Sequence, residues 1–141
     1  MKSLLAVALL VLLPQARPAP KPEWAAPREE KSKANPVQAS DESLKKGRAL
    51  YQRHCAMCHG DRGKGDGAAA RLHAQRSNRT PKDLTDAKTQ ALLSDGEIFW
   101  KLSVGFKEDG RIIMPPFAEE IPKEEDRWKL VNFVRSFGKE D

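Results

Sequence analysis

Both cysteines of the chain lie in one pentapeptide, Cys55-Ala56-Met57-Cys58-His59, which constrains the fold more than any other feature. A disulfide between them would close a very small loop and add little stability. A thioredoxin-like redox pair follows a strand, whereas the residues before Cys55 are typical of a helix end. A tetrahedral zinc site needs four ligands, and the two cysteines with His54, His59 and His73 supply them only awkwardly.

The spacing C-x-x-C-H is the specific signature of covalent haem attachment. Two intervening residues allow the sulfurs of Cys55 and Cys58 each to add to one vinyl group of the same porphyrin. The next residue, His59, then lies under the iron, where an imidazole nitrogen can coordinate it. The sequence therefore predicts one covalently attached haem c, with His59 as an iron ligand.

An electron-carrying haem needs a second axial ligand, usually Met or His. Met1 is predicted to leave with a signal peptide, and Met57 lies inside the attachment loop. Met114 precedes two prolines, which hold it in a stiff, extended loop rather than in a helix. We predict Met114 as the sixth ligand. The alternative is His73, in a polar segment, which would give a bis-histidine site of lower potential.

Near the N-terminus, Lys2 is followed by an unbroken apolar run from Leu4 to Leu13. This run has the length of a signal-peptide core and is too short for a membrane-spanning helix, which needs roughly 20 residues. We predict a signal peptide over residues 1–19, cleaved after Ala16 or Ala19. An uncleaved short anchor is the alternative.

Prolines interleaved with Ala, Lys and Glu follow the apolar run, and no helical or strand period is visible there. Proline removes backbone donors, so regular structure is disfavoured. We predict a proline-rich flexible linker over residues 20–40, in which Trp24 is solvated. The mature chain is expected to contain no membrane span.

Helix signals divide the remaining chain. Ser94 with Glu97 forms a capping box, and acidic residues follow Ser40 in a first turn. Gly47 inside a helix costs around 1 kcal/mol against Ala, so we expect another helix to approach it closely. The predicted helices run from Ser40 to the Cys55 region, from Lys88 to Leu93, from Ser94 to Gly105 and from Pro122 to Gly138. No alternating strand pattern of useful length is present, so the fold class is predicted as all-α.

Four motifs occur in order between Ser43 and Gly138. They are Gly47-x-x-x-Tyr51-x-x-x-Cys55-x-x-Cys58-His59-Gly60, Asp95-Gly96-Glu97-Ile98-Phe99, Met114-Pro115 and Leu130-Val131-Asn132-Phe133-Val134-Arg135-Ser136-Phe137. With these motifs the chain resembles the class I cytochrome c domain. The resemblance implies a small cytochrome c-like fold of three to five helices around one haem, over residues 41–139. It also implies thioethers at Cys55 and Cys58, and axial ligation by His59 and Met114.

The resemblance further implies that the first helix crosses the last at Gly47, which explains that glycine. In such proteins a proline carbonyl often accepts a hydrogen bond from the ligand imidazole and fixes its orientation. Pro81 is the candidate, although residues 61–80 form a longer loop than the family pattern. Trp100 and Arg111 are candidates for contact with a haem propionate.

The formal charge of +5 is unevenly distributed. Residues 53–82 carry seven Lys/Arg and two Asp, a local charge of +5 beside the attachment site. We hypothesise that this stretch steers docking to an acidic partner, with a solvated loop as the alternative. Nucleic-acid binding is not expected, because no aromatic and basic platform is present.

These features predict an exported, monomeric, monohaem c-type cytochrome, located in the periplasm or elsewhere outside the cytoplasm. It would shuttle single electrons between redox proteins such as a terminal oxidase, a respiratory complex or a dehydrogenase. It is not expected to be an enzyme, because no open coordination site or acid–base pair is evident. The alternative is a haem-based enzyme or gas-binding sensor with a labile or absent sixth ligand.

Overall fold

The computed structural model describes residues 24–139, so the predicted signal peptide (residues 1–19) and the start of the predicted linker lie outside the described residues. The elements in chain order are α1 (Arg28–Lys31), α2 (Asp41–His54), α3 (Ala56–His59), α4 (Ala70–Ser77), α5 (Ala87–Leu92), α6 (Asp95–Val104), β1 (Phe106–Glu108), β2 (Arg111–Met114) and α7 (Glu124–Ser136), followed by a 3₁₀ turn (Phe137–Lys139). Helices dominate, which confirms the predicted fold class. More helices form than the three to five expected, partly because α1 and α3 are single turns of four residues.

Local capping signals place the ends of the main helices. The Ser40 hydroxyl accepts a hydrogen bond from the backbone N–H of Ser43 at the start of α2. Ser94 does the same for Glu97 at the start of α6. Each cap satisfies a donor that the first helical turn leaves without an internal partner. The predicted beginnings at Ser40 and Ser94 are therefore confirmed.

Helices α2 and α7 cross at Gly47. A Cβ built on Gly47 would lie 2.8 Å from the Phe133 Cβ and would also clash with the Lys129 carbonyl. Tyr51 and Leu130 are fully buried beside the crossing. The predicted close approach at Gly47 is confirmed, and this crossing anchors the helix that ends at the attachment site.

The core extends from this crossing through α6 and the segment before α7. The Phe99 and Trp128 rings stack at 4.0 Å, which joins α6 to α7. The buried cluster comprises Tyr51, Cys55, Ala56, Ile98, Phe99, Leu102, Phe117, Ile121, Trp128, Leu130, Val131, Val134 and Phe137. Cys55 and Ala56 belong to it, so the attachment pentapeptide is built directly on the core.

The antiparallel hairpin of β1 and β2 was not predicted, because its strands have only three and four residues. Its turn, Asp109-Gly110, has positive φ at both residues. Asp-Gly is a strong signal for a tight hairpin turn, and it was the available clue. Phe106 pairs with Met114 across the hairpin, so the predicted sixth ligand lies at the end of a strand.

Two loop predictions differ from the structure. Residues 61–80 were expected to be a long loop, but they contain α4, whose polar sequence has no apolar stripe to signal a helix. Residues 24–39, here called the N-terminal segment, were expected to be part of a flexible linker. They instead contain α1 and a buried Ala26, and Asn35 bonds to Asn132 of α7. Long-range hydrogen bonds of this kind leave no periodic pattern in the sequence.

Candidate functional site

The attachment pentapeptide spans the junction of α2 and α3. Cys55 ends α2 and is buried, while Cys58 lies one turn later on α3 and is half-buried. The backbone N–H groups of Cys58 and His59 both donate to the Cys55 carbonyl, at 3.1 and 2.9 Å. The two sulfurs are not joined in a disulfide. A helix, rather than a strand, precedes the first cysteine, so the thioredoxin arrangement is not present.

Burial of the two cysteines disfavours their thiolate forms. Burial raises the pKa of Cys55 to about 12, and the neighbouring Cys58 adds to the shift. Burial also raises the pKa of Cys58. Activated redox cysteines have lowered pKa values, because the thiolate is the nucleophile. These thiols are therefore not poised for thiol–disulfide exchange.

The His59 imidazole is oriented by a backbone carbonyl. Its Nδ1 lies 3.1 Å from the carbonyl oxygen of Lys82. Pro81 was predicted to supply this carbonyl, so the prediction was wrong by one residue. Burial lowers the pKa of His59, the Lys82 hydrogen bond opposes this, and His73 nearby lowers it further. A neutral ring that donates from Nδ1 leaves Nε2 as the free metal-binding nitrogen.

The loop after His59 is held by a buried tyrosine. The Tyr51 hydroxyl donates to the Gly60 carbonyl at 2.7 Å. The rings of Phe133 and Phe137 pack on Tyr51 with centroids 5.3 and 5.1 Å away. Burial, with the neighbouring Cys55 and acidic groups, raises the pKa of Tyr51 above its ordinary value. The α2–α7 crossing thus supports the residues that follow the pentapeptide.

A cleft of about 340 Å³ opens beside Cys58. Its lining residues are Cys58, Ala69, Leu72, His73, Arg76, Ser77, Arg111, Ile112 and Ile113. Arg111 therefore lines a cleft beside Cys58, whereas Trp100 is not part of this lining. Helix α4 and strand β2 form most of the wall.

The residues of this cleft fit a haem. Leu72 and Ile112 are 48% and 57% exposed, which is high for large aliphatic side chains beside a thiol. An apolar ring attached through Cys58 would cover both. The guanidinium groups of Arg76 and Arg111 suit a ligand that also bears carboxylates. Apolar walls, the Cys58 thiol, the His73 imidazole and two cations match the chemistry of that group, although Cys55 and His59 are not part of this lining.

Met114 lies at the end of β2, directly after the cleft residue Ile113. It is half-buried and packs against the hydrophobic core. Met57, the other methionine within residues 24–139, is 65% exposed. Of these two methionines, only Met114 is built into the folded body beside the cleft.

Sequence reasoning misjudged several side chains around the site. His73 was expected to be solvated unless it served as a ligand, and it lines the cleft. His54 was expected to point to solvent, but its ring packs edge-on against Phe117 at 5.7 Å. Leu72 was not singled out, because it lies in a segment that resembled a polar loop. An apolar residue within such a segment was the only available signal.

The basic stretch over residues 53–82 is a surface feature. All seven of its cations are exposed: Arg53, Arg62, Lys64, Arg71, Arg76, Arg79 and Lys82. Arg79 pairs with Glu108 at 2.6 Å, so part of its charge is compensated by the hairpin. Arg76 connects this surface to the cleft.

No helix within residues 24–139 is long and apolar enough to cross a membrane. Comparison with curated proteins finds no match. A solved chain of the Kuenenia stuttgartiensis reducing HAO-like protein complex Kustc0457/Kustc0458 is similar, with 25% identity and a TM-score of 0.57. That alignment covers 72% of this chain and 46% of the other, so this chain spans less than half of its length.

The KustC0563 c-type cytochrome is also similar, at 30% identity and a TM-score of 0.47, over 64% of this chain and 95% of the other. The family described as Cytochrome c matches residues 44–138. That range contains the pentapeptide, the cleft and the α2–α7 crossing. A match over more than half of the chain shows that this protein belongs to the cytochrome c family, with covalently bound haem c.

Proposed function

We propose that this protein is an exported monohaem electron carrier in which His59 and Met114 are the two iron ligands. The observation that carries the proposal is the position of Met114. It is half-buried against the core and follows a residue of the cleft beside Cys58. When bound, the haem supplies one-electron chemistry, because its iron alternates between the ferrous and ferric states.

His59 would hold the iron on one side of the ring. The Lys82 carbonyl accepts the Nδ1 proton, which selects the tautomer with a free Nε2 and restrains ring rotation. Burial keeps the imidazole neutral, as ligation requires. Cys55 and Cys58 would fix the ring covalently, which keeps His59 and the cofactor together in both oxidation states.

Met114 would be the second iron ligand. A thioether ligand raises the potential relative to a second imidazole. Two prolines follow Met114 and restrict the backbone, so little entropy is lost on ligation. With His59 and Met114 both bound to the iron, no position would be left for oxygen, which favours electron transfer over oxygen chemistry. Pro81, adjacent to Lys82, would act only by stiffening the loop that supplies the carbonyl.

We propose export through the signal peptide of residues 1–19 and function outside the cytoplasm. The partners would be larger redox proteins, such as a terminal oxidase, a respiratory complex or a dehydrogenase. Seven exposed cations in residues 53–82 support docking to an acidic surface, because complementary charge accelerates encounter. The similar solved chain comes from a reducing HAO-like protein complex, which supports a partner that is itself an oxidoreductase.

The test replaces the proposed ligand. Met114→Ala should retain covalent haem, lower the reduction potential and allow exogenous imidazole to bind the ferric protein. Met57→Ala is the matched control, because Met57 is 65% exposed, and it should leave the potential unchanged. His73→Ala tests the bis-histidine alternative. An unchanged potential in Met114→Ala, with a shifted potential in His73→Ala, would show that His73 is the ligand.

A second candidate function follows from the same similar complex. The protein would then be a haem-based enzyme or a gas-binding sensor in which the sixth iron ligand is labile or absent. Such a protein would give a high-spin ferric spectrum without a methionine–iron charge-transfer band. It would also bind carbon monoxide rapidly in the ferrous state, whereas the electron carrier would not.

A further inference from the structure

The N-terminal segment packs against the hairpin that carries Met114. The Trp24 ring stacks on Phe106 with a centroid separation of 4.9 Å and an interplanar angle of 20°. Phe106 is the β1 residue that pairs with Met114 in the hairpin register. The contact therefore joins the first described residue of the chain to the strand partner of the proposed ligand.

The stack is reinforced from two other elements. The Lys101 ammonium of α6 lies 4.9 Å from the Trp24 ring centroid, within the range of a cation–π interaction. The Arg79 guanidinium lies 5.7 Å from the Phe106 centroid, and the same arginine pairs with Glu108 of β1. The hairpin is thus held from the N-terminal segment, from α6 and from the loop after α4.

A buried carboxylate fixes the rest of the segment to α6. Glu97 is 5% exposed and pairs with Lys101 at 3.1 Å and with Lys31 at 3.5 Å. It also accepts a hydrogen bond from the backbone N–H of Ala26. The Glu30 carbonyl lies against Gly96, where any Cβ would clash. Trp24 is therefore the end of an anchored segment, only two residues from a buried alanine.

The far end of the segment is anchored on α7. The Asn35 amide donates to the Trp128 carbonyl at 3.0 Å and to the Asn132 side chain at 2.8 Å. Asn132 in turn donates to the Val37 carbonyl and to the Ser43 hydroxyl. Because the N-terminal segment is anchored on α6 and on α7, Trp24 restrains the hairpin relative to these two helices.

We propose that Trp24 is a positioning residue for Met114, and that the N-terminal segment is a clamp that restrains the hairpin carrying this ligand. This inference rests on the proposed ligation by Met114. Trp24 acts through Phe106, whose backbone pairs with Met114. Loss of the stack should raise the population of states in which Met114 has left the iron.

The experiment measures imidazole binding to the full-length ferric holoprotein, because imidazole competes with Met114 for the iron. Trp24→Ala should tighten the imidazole dissociation constant by about 2- to 10-fold, the factor that corresponds to one aromatic pair. Its methionine–iron band should also weaken. Trp24→Phe keeps a stacking ring and should remain within about 2-fold of wild type.

Lys33→Ala is the matched control in the same segment, because the Lys33 ammonium pairs with the nearby Glu30 carboxylate and not with the hairpin. It should leave imidazole affinity unchanged. If Trp24→Ala fails to accumulate, Trp24→Leu keeps a smaller apolar side chain without the stack and gives the same comparison.

Two results would overturn the inference, and they are distinguishable. If the wild-type band is present but Trp24→Ala lowers only the melting temperature and leaves imidazole affinity unchanged, the segment is merely structural. If the wild-type protein lacks the methionine–iron band, ligation by Met114 fails and the positioning role fails with it.

Discussion

Gly47→Ala should destabilise the protein even though alanine is the better helix former. The substitution gains about 1 kcal/mol of helix propensity. The new Cβ, however, would lie 3.0 Å from the Lys129 carbonyl carbon and 2.8 Å from the Phe133 Cβ, so α7 must move away from α2. Overpacking of this kind costs about 1 to 3 kcal/mol, and backbone neighbours place it near the upper end. The net loss should be about 2 kcal/mol.

Thermal unfolding of the ferric holoprotein measures this loss. A loss of about 2 kcal/mol corresponds to a fall of about 8–16 °C in melting temperature for a domain of this size. Ala49→Gly is the matched control, because Ala49 is exposed on the same helix and reports helix propensity alone. It should cost about 1 kcal/mol. A Gly47→Ala variant as stable as wild type would refute the close crossing.

Three further outcomes are expected. Tyr51→Phe should lower the free energy of unfolding by about 1 kcal/mol at neutral pH, because the hydrogen bond to Gly60 is lost. Because burial raises the pKa of Tyr51, the wild type should keep its tyrosine-dependent stability below pH 10.0 and lose it above. The variant should show no such loss in alkaline unfolding experiments. Burial alone would raise the pKa of Glu97, but the hydrogen bond from Lys101 brings it below 4.5. The free energy of unfolding should therefore decrease as the pH falls below 4.5, and it should decrease less steeply in Glu97→Gln. Electron-transfer rates with an acidic partner should fall as the salt concentration rises. Lys64→Glu should slow electron transfer more than Lys88→Glu, because Lys88 lies outside the basic stretch. Equal effects of the two substitutions would argue against docking through that stretch.

Local signals predicted the parts of the fold that depend on neighbours in sequence. Ser40 and Ser94 cap helices through residues three positions ahead, and such caps are visible in a sequence. Gly47 was informative because its cost inside a helix demanded a close neighbour. The pentapeptide predicted its chemistry because the spacing of both sulfurs and the imidazole is fixed over five consecutive residues.

The remaining features depend on contacts between distant residues. The N-terminal segment has the proline content of a linker, yet Asn35 finds partners on α7 that lie more than 90 residues away. The hairpin strands are too short for a periodic signal, and only the Asp109-Gly110 turn could have revealed them. The acceptor of the His59 proton was misplaced from Lys82 to Pro81, because carbonyl direction depends on backbone torsions that composition does not encode.

The ferric absorption spectrum of the intact exported protein tests the central claim most directly. Ligation by His59 and Met114 predicts a low-spin spectrum with a methionine–iron charge-transfer band, which disappears in Met114→Ala while the haem stays bound through acid-acetone extraction. A high-spin wild-type spectrum, or a band that persists in Met114→Ala, would contradict the account.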